Sequence, residues 1–232
     1  MPLLPSAFDA LVAAIDSDAS SLMIVPVALA GRSPYFLVTN MSFPATNARE
    51  FIALARARPG AINYSSSGSG SAVHLSMSLF MQITGIDVAH VPYKGLATAI
   101  TEMMGGQLDL GFFDINLVQQ HVQSGRLKAL AVTSAKPSAL FPGLPTVAAS
   151  GLPGYECVAM YAVFVPAKTP QALVTRLNRE IVKVLNTPEI REKFLAASTE
   201  IDATTPQGLA DTMKSEMARM GKVIRAAGIR DD

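Results

Sequence analysis

The chain has no tryptophan, a single cysteine and only 16% charged residues over its 232 positions. Each shortage excludes something. Cys157 stands alone, so an internal disulfide and a cysteine-based metal cluster are ruled out. Nineteen Lys and Arg against 18 Asp and Glu leave a net charge of +1. With no basic stretch, the clustered cations that neutralise nucleic-acid phosphates are missing, and no nucleic-acid partner is expected. His74, His90 and His121 lack ligand-like spacing, so no metal site is expected either. Long apolar runs are also absent. Ser33 to Ala48 carries no charge but is broken by Pro34 and Pro44, and no stretch offers the roughly 18 or more apolar residues of a membrane span. No Lys or Arg precedes the apolar start of "MPLLPSAFDALVAAIDSDASS", which therefore lacks the charged opening of a secretory signal.

What is present is core-forming material. Half of the residues are hydrophobic, enough to bury a sizeable core and to exclude disorder. The length suits one large domain or two small lobes. From Asn47 onwards β-branched runs alternate with amphipathic stretches, the pattern of a parallel α/β sheet. Asn47 and Glu50 have capping-box spacing ahead of a helix that Pro59-Gly60 ends. "INYSS", "DVAHVPY", "LDLGFFD" and "LKALAVTS" read as strands, with helices over Ser71 to Ile83, Leu96 to Met104 and Leu117 to Gln123. Residues 135 to 155 form a connection. "CVAMYAVFVPA" is a wholly apolar strand, expected to be buried on both faces. Thr169-Pro170 and Thr205-Pro206 open helices as N-cap and first-turn proline, the second running to Ala227. Pro188 to Ala197 is a short helix and "EIDA" a strand.

Three loops share one design, a strand end followed by small or polar residues and a helix start. They are Ser65 to Ser71 (Ser65, Ser66, Ser67, Gly68, Ser69, Gly70, Ser71), Tyr93-Lys94-Gly95, and Asp114 to Asn116. Strand carboxyl ends line the ligand crevice of open α/β sheets. Helix N-termini there offer unpaired N–H groups and about half a positive charge each. Glycines let a ligand reach the backbone, and hydroxyls and Lys94 add donors. The expected ligand is an anion. Three or four hydrogen bonds to a charged group, at about 1.5–3 kcal/mol each, would supply most of the roughly 8 kcal/mol of micromolar binding.

Other chemistries fail on spacing. A Walker loop needs a lysine, and none lies between Arg58 and Lys94. A dinucleotide fingerprint from Gly68 and Gly70 meets Val73 where Gly or Ala belongs. No serine is centred in G-x-S-x-G, and the serines and His74 form no triad-like arrangement. No enzyme and no cofactor are expected. Each residue also has a plainer use. The loop serines satisfy a turn and cap a helix, His74 serves equally as structural hydrogen bonder or ligand contact, Lys94 is solvated, and Asp114 caps the next helix. His90 and His121 are assigned to structure, and Met77, Met81, Met103 and Met104 to core filling.

The segments "PGAINYSSSGSGSAVHLSMSLF", "DVAHVPYKG", "GGQLDLGFFD", "GRLKALAVTSAKPSALFPGLPTVAASGLPGYE" and "GKVIRAAGI" resemble the tripartite tricarboxylate transporter substrate-binding proteins, the Bug or TctC-like family. The resemblance runs from about Val25 to the C-terminus. It implies an α/β fold of the periplasmic-binding-protein type II kind, with two lobes around a cleft. Residues 42 to 157 would form the second lobe, and 1 to 41 with 158 to 232 the first. It further implies a small carboxylate held by the loop Ser65 to Ser71 with His74, by Tyr93-Lys94-Gly95 and by Asp114. Delivery to membrane permease subunits and a periplasmic location follow from the same likeness. The family's P-x-x-x-G-G segment does not occur before Val25, residues 1 to 21 match nothing in the pattern, and no signal peptide is seen. On this reading the first lobe is incomplete, and the chain is cytoplasmic if complete. The alternative is then a family member with weak or no binding, acting as a homo-oligomer through an exposed hydrophobic edge or as an interaction protein.

Overall fold

The computed structural model describes residues 24–139 and 141–229. The expectations for residues 1 to 21 concern positions outside that range. In chain order the elements are β1 (Ile24–Asn40), α1 (Ala48–Ala57), β2 (Asn63–Ser66), α2 (Ala72–Thr84), β3 (Ala89–Pro92), α3 (Leu96–Met104) and β4 (Leu110–Asp114). They continue as α4 (Ile115–Gln123), β5 (Leu127–Val132), β6 (Val158–Pro166), α5 (Gln171–Leu185), α6 (Pro188–Ala196), β7 (Glu200–Ile201) and α7 (Pro206–Ala227). The chain divides into two compact units, Ser33–Ala159 and a second made of residues 24–32 and 160–229.

In the larger unit the strand order is β3-β2-β4-β1-β5. β2 runs parallel to both β3 and β4, as the alternating pattern implies. The C-terminal half of β1, where the sequence pattern assigns no strand, lies antiparallel to β4 and β5, so β5 departs from the parallel expectation. Sequence pattern alone carries no sign of strand direction, and β1 is not followed by a crossover helix returning to a neighbouring strand.

The sheet is covered on both faces. β4 shows how: Phe112 and Phe113 are each about fully buried and, being neighbours on a strand, point to opposite faces. On one face Phe112 meets Phe80 of α2 edge-on at 6.1 Å, and Phe80 stacks on Phe51 of α1 at 5.6 Å. On the other, Phe113 joins Phe36, Val38, Ile100, Met103, Ile115 and Val118 in one buried cluster with α3 and α4.

Helix ends follow the chain's polar punctuation. Asn47 caps α1, its Oδ1 accepting the Glu50 N–H at 3.0 Å. Glu50 reaches back one residue further than the usual box, accepting the N–H of Thr46 at 2.7 Å. Gly85 closes α2 in a left-handed conformation (φ 66°) and donates its N–H to the Met81 carbonyl.

In the smaller unit β6 and β7 pair with β1, β7 in the register Gly31↔Ile201 and Arg32↔Glu200. Asn178 of α5 donates to the carbonyls of Val27 and Thr204, both at 2.8 Å, and Arg32 pairs with Asp202. α7 begins as expected, with Thr205 Oγ1 accepting the Gly208 N–H and Pro206 in the first turn. Two expectations fail here. α5 is capped by Pro170 and not by Thr169, because Pro170 is still extended (ψ 137°) and the helix starts one residue later. β6 is nowhere fully buried, with Met160, Tyr161 and Val163 exposed. A strand buried on both faces needs two covering layers, and the described part of this unit does not supply them.

Gly111 is closely packed in the sheet of the larger unit. A Cβ there would sit 2.6 Å from the Phe113 ring and 2.6 Å from Ser65 Oγ. Gly111→Ala is therefore expected to cost roughly 1–3 kcal/mol through overpacking. Urea unfolding should show the lower midpoint with an unchanged slope.

Candidate functional site

Parallel pairing fixes the site's location. Ser65 and Ser66 of β2 lie opposite Val91 and Pro92 of β3, while Tyr64 and Ser65 face Leu110 and Gly111 of β4. The carboxyl ends of the three strands therefore share one edge of the sheet. The turn 67–71 into α2, Tyr93 to Gly95 into α3, and Asp114 into α4 all leave from it. The structure thus brings the three loops singled out in the sequence to one place. One boundary differs: α4 starts at Ile115, directly after β4, so Asp114 to Asn116 is no loop.

The turn is built by its own side chains. Ser66 Oγ accepts the Gly68 N–H at 3.1 Å, and lies 3.0 Å from the Gly68 carbonyl and 2.6 Å from His90 Nε2. Gly68 (φ 120°) and Gly70 (φ 72°) both adopt backbone conformations that disfavour side chains. Ser71 caps α2, its Oγ accepting the His74 N–H at 3.4 Å. His74 in turn accepts the Gly70 N–H on Nδ1 at 3.0 Å. Ser65 and Ser66 are fully buried, whereas Ser67 and Ser69 are exposed. The side chain of Ser65 points to the face opposite Tyr64 and Ser66, next to Gly111. Among the described residues neither Ser65 Oγ nor Tyr64 OH has a hydrogen-bond partner.

Beneath the turn three rings are stacked. His74 and His90 lie 4.2 Å apart with planes 12° from parallel, and Tyr64 stacks on His90 at 5.0 Å. Burial pushes the Tyr64 phenol up and the His90 imidazole down. His74 is pushed down to about 4, by burial first and then by the neighbouring His90. His90, assigned to structure in the sequence, is thus part of the turn's support. The signal lies in strand register, which places His90 opposite Tyr64.

On the second loop Lys94 and Gly95 are exposed, and Gly95 caps α3 with no side-chain bond. The Tyr93 hydroxyl donates to the Glu102 carboxylate. Its phenol is pushed up to about 12 by burial, then by the hydrogen bond and charge of Glu102. Half-buried Asp114 stands at the N-cap of α4 without bonding its backbone, and burial raises its carboxyl. First-turn N–H groups of α3 and α4 are consequently not met by cap side chains. This edge suits an acceptor-rich, negatively charged ligand.

Two hollows lie elsewhere. One of about 370 Å³ in the smaller unit is lined by Gln171, Asn178, Thr205 and Gln207 among others. One of about 320 Å³ in the larger unit is lined by Arg49, Arg56, Ile83 and Leu152. Neither includes a residue of the three loops. An anion resting on helix ends needs donors more than depth, so the loops remain the better candidate. Among the described residues no three His, Cys, Asp or Glu side chains gather as metal ligands. No described helix is long and apolar enough to cross a membrane.

Residues 18–229 match the family described as Tripartite tricarboxylate transporter family receptor. Protein BugT of Bordetella pertussis is 32% identical over 207 residues, covering 89% of this chain and 64% of BugT. The chain thus spans under two-thirds of that relative's length. The solved structure of R. palustris Rpa4515 with adipate is 33% identical, with a TM-score of 0.77, over 92% of this chain and 71% of that one. The periplasmic binding protein BugD is 26% identical with a TM-score of 0.72, over 90% of this chain and 71% of that one. The fold is α/β of the periplasmic-binding-protein kind, and the family is one of receptors and not of enzymes. This chain belongs to the tripartite tricarboxylate transporter receptor family, TctC.

Proposed function

We propose that the chain is a solute-binding receptor and that the shared edge of β2, β3 and β4 holds one carboxylate of a small organic acid. The observation that carries this reading is the convergence of three helix N-termini at adjacent parallel strand ends, two of them without a side-chain cap. Exposed Ser67, Ser69 and Lys94 supply the side-chain donors, since the Gly68 and Gly70 N–H groups are taken by Ser66 Oγ and His74 Nδ1. Buried Ser66 and His74, with half-buried Ser71, shape the turn from below. In the lobe assignment that the family likeness implies, this edge belongs to a second lobe of residues 42 to 157, and membrane permease subunits receive the solute.

Adipate, found with Rpa4515, is the first ligand to try, within a panel of mono- and dicarboxylates. Calorimetry should show heat for at least one dicarboxylate, with a matching upward thermal shift. No heat and no shift with any of them would overturn the reading.

Loop variants test where the ligand sits. Ser67→Ala and Ser69→Ala each remove a hydroxyl from the exposed rim, and loss of a bond to a charged group costs about 1.5–3 kcal/mol, or roughly tenfold or more in affinity. Ser65→Ala should leave affinity unchanged, since its Oγ is buried on the opposite face. Equal losses in all three would place the ligand elsewhere.

A second reading has its own observation. β6 is apolar throughout yet exposes Met160, Tyr161 and Val163, which favours association over ligand binding as the chain's role. Gel filtration separates the two: a clean monomer that binds a carboxylate excludes the second.

A further inference from the structure

The turn at residues 66–70 is held from beneath by a group that can gain a proton. α2 starts with a modified capping box. Ser71 at the N-cap accepts the His74 N–H, and His74, three residues on, accepts the Gly70 N–H just before the cap. α1 carries the same arrangement with a carboxylate in place of the imidazole, Glu50 accepting the Thr46 N–H just before Asn47. A carboxylate stays an acceptor throughout the neutral range. Imidazole accepts on Nδ1 only while neutral, and the imidazolium has donors on both nitrogens.

His90 makes a second proton harder to place. Its Nε2 faces Ser66 Oγ at 2.6 Å, and Ser66 has the Gly68 carbonyl at 3.0 Å as an alternative acceptor for its own proton. His90 can therefore turn into a double donor without breaking the turn, whereas His74 cannot. With ring centroids 4.2 Å apart, a charge on one imidazole opposes a charge on the other. The ionisable side chains of the stack are Tyr64 from β2, His90 from β3 and His74 from α2. Among the described residues no carboxylate or amine offsets either imidazole, and Glu102 of α3 is engaged by Tyr93.

We propose that the Tyr64–His90–His74 stack is an acid-operated latch that keeps the Ser66–Gly70 turn closed while His74 is neutral and releases it when His74 takes a proton. His74 and His90 are positioning residues here, acting on the turn through Gly70 and Ser66. Release leaves the Gly70 N–H facing a donor and frees the backbone between two glycines, which have the fewest conformational limits.

The sign of the stability effect follows. Both imidazoles titrate lower in the folded chain than the ordinary value of about 6.5, His74 near 4. The unfolded chain therefore binds these protons first. Stability from the stack is full above about pH 6.5 and drains as pH falls toward 4.

The test is an NMR titration of the full chain from pH 7.5 to 4 without ligand, following the His74 ring protons and the Gly70 amide, with circular dichroism reporting the fold. The Gly70 amide should shift and lose exchange protection with the His74 midpoint while the helix signal is unchanged. His74→Gln, which puts a standard capping-box residue at this position, should abolish the Gly70 step. His90→Gln keeps a partner for Ser66 and removes the neighbouring charge, so the midpoint should rise. A Gly70 amide that stays protected while His74 titrates overturns the latch, as does a step that persists in His74→Gln. An unmoved midpoint in His90→Gln overturns the role of His90. Should a variant fail to fold, the wild-type titration still decides. The latch needs no ligand in its test, so it can fail while the carboxylate reading stands, and the reverse.

Discussion

Parallel pairing of β2 with both β3 and β4 is the constraint on which the rest of the larger unit depends. A parallel strand cannot return by a hairpin, so each of the three is followed by a helix, and each helix starts at the same edge. The resulting N–H surplus is a by-product of topology and needs no special residue. What the sequence adds is local: glycine at 68 and 70 to turn the chain, serine at 71 to cap, and no capping side chain at Gly95. The anion-seeking character of the edge thus comes from the backbone, while hydroxyls and Lys94 refine it.

The same strands tie that edge to the core. Tyr64 and Ser66 face α2 and the imidazole stack, and Ser65 between them faces Gly111 and the cluster around Phe113. A one-residue slip of β2 would exchange these sets, burying His-facing groups in an apolar cluster. Close contact over Gly111 is therefore a register lock as well as a packing detail. The turn is positioned by close packing on the far side of its own strand.

Much of this was legible in the sequence, and the parts that were not share physical causes. Helix ends marked by Gly85, Gly228 or Thr205-Pro206 could be read because backbone chemistry sets them locally. The turn into α2 and the segment Tyr93 to Gly95 could be read for the same reason, whereas Asp114 to Asn116 is strand end and helix start. Antiparallel β1 could not, since direction depends on where the chain returns. Nor could the exposure of β6, which depends on what covers it and not on its own apolar residues. Ser65 and Ser66 look like neighbours of Ser67 and Ser69 in a polar loop, yet they belong to the strand and are buried. The strand read over "INYSS" does end at Ser66; what the pattern does not show is that packing buries both of its serines. His90 reads as structural, and which part of the structure it supports depends on pairing across strands.

His74 was read as either a structural hydrogen bonder or a ligand contact, and its position shows why neither description is complete. The usual capping-box signature admits Glu or Gln at the third helical position because both reach back to an N–H and keep accepting it. Imidazole reaches the same N–H but does so conditionally. In α1, where Glu50 is exposed and Thr46 leads into no strand end, a permanent acceptor suffices. In α2 the bonded N–H belongs to a glycine turn at the sheet edge, and the acceptor is stacked on a second imidazole that resists sharing its charge. The two boxes differ in both side chains, Asn47 with Glu50 against Ser71 with His74, and the imidazole acceptor belongs to the second. The shape of the turn and its response to protons are properties of the same hydrogen bond.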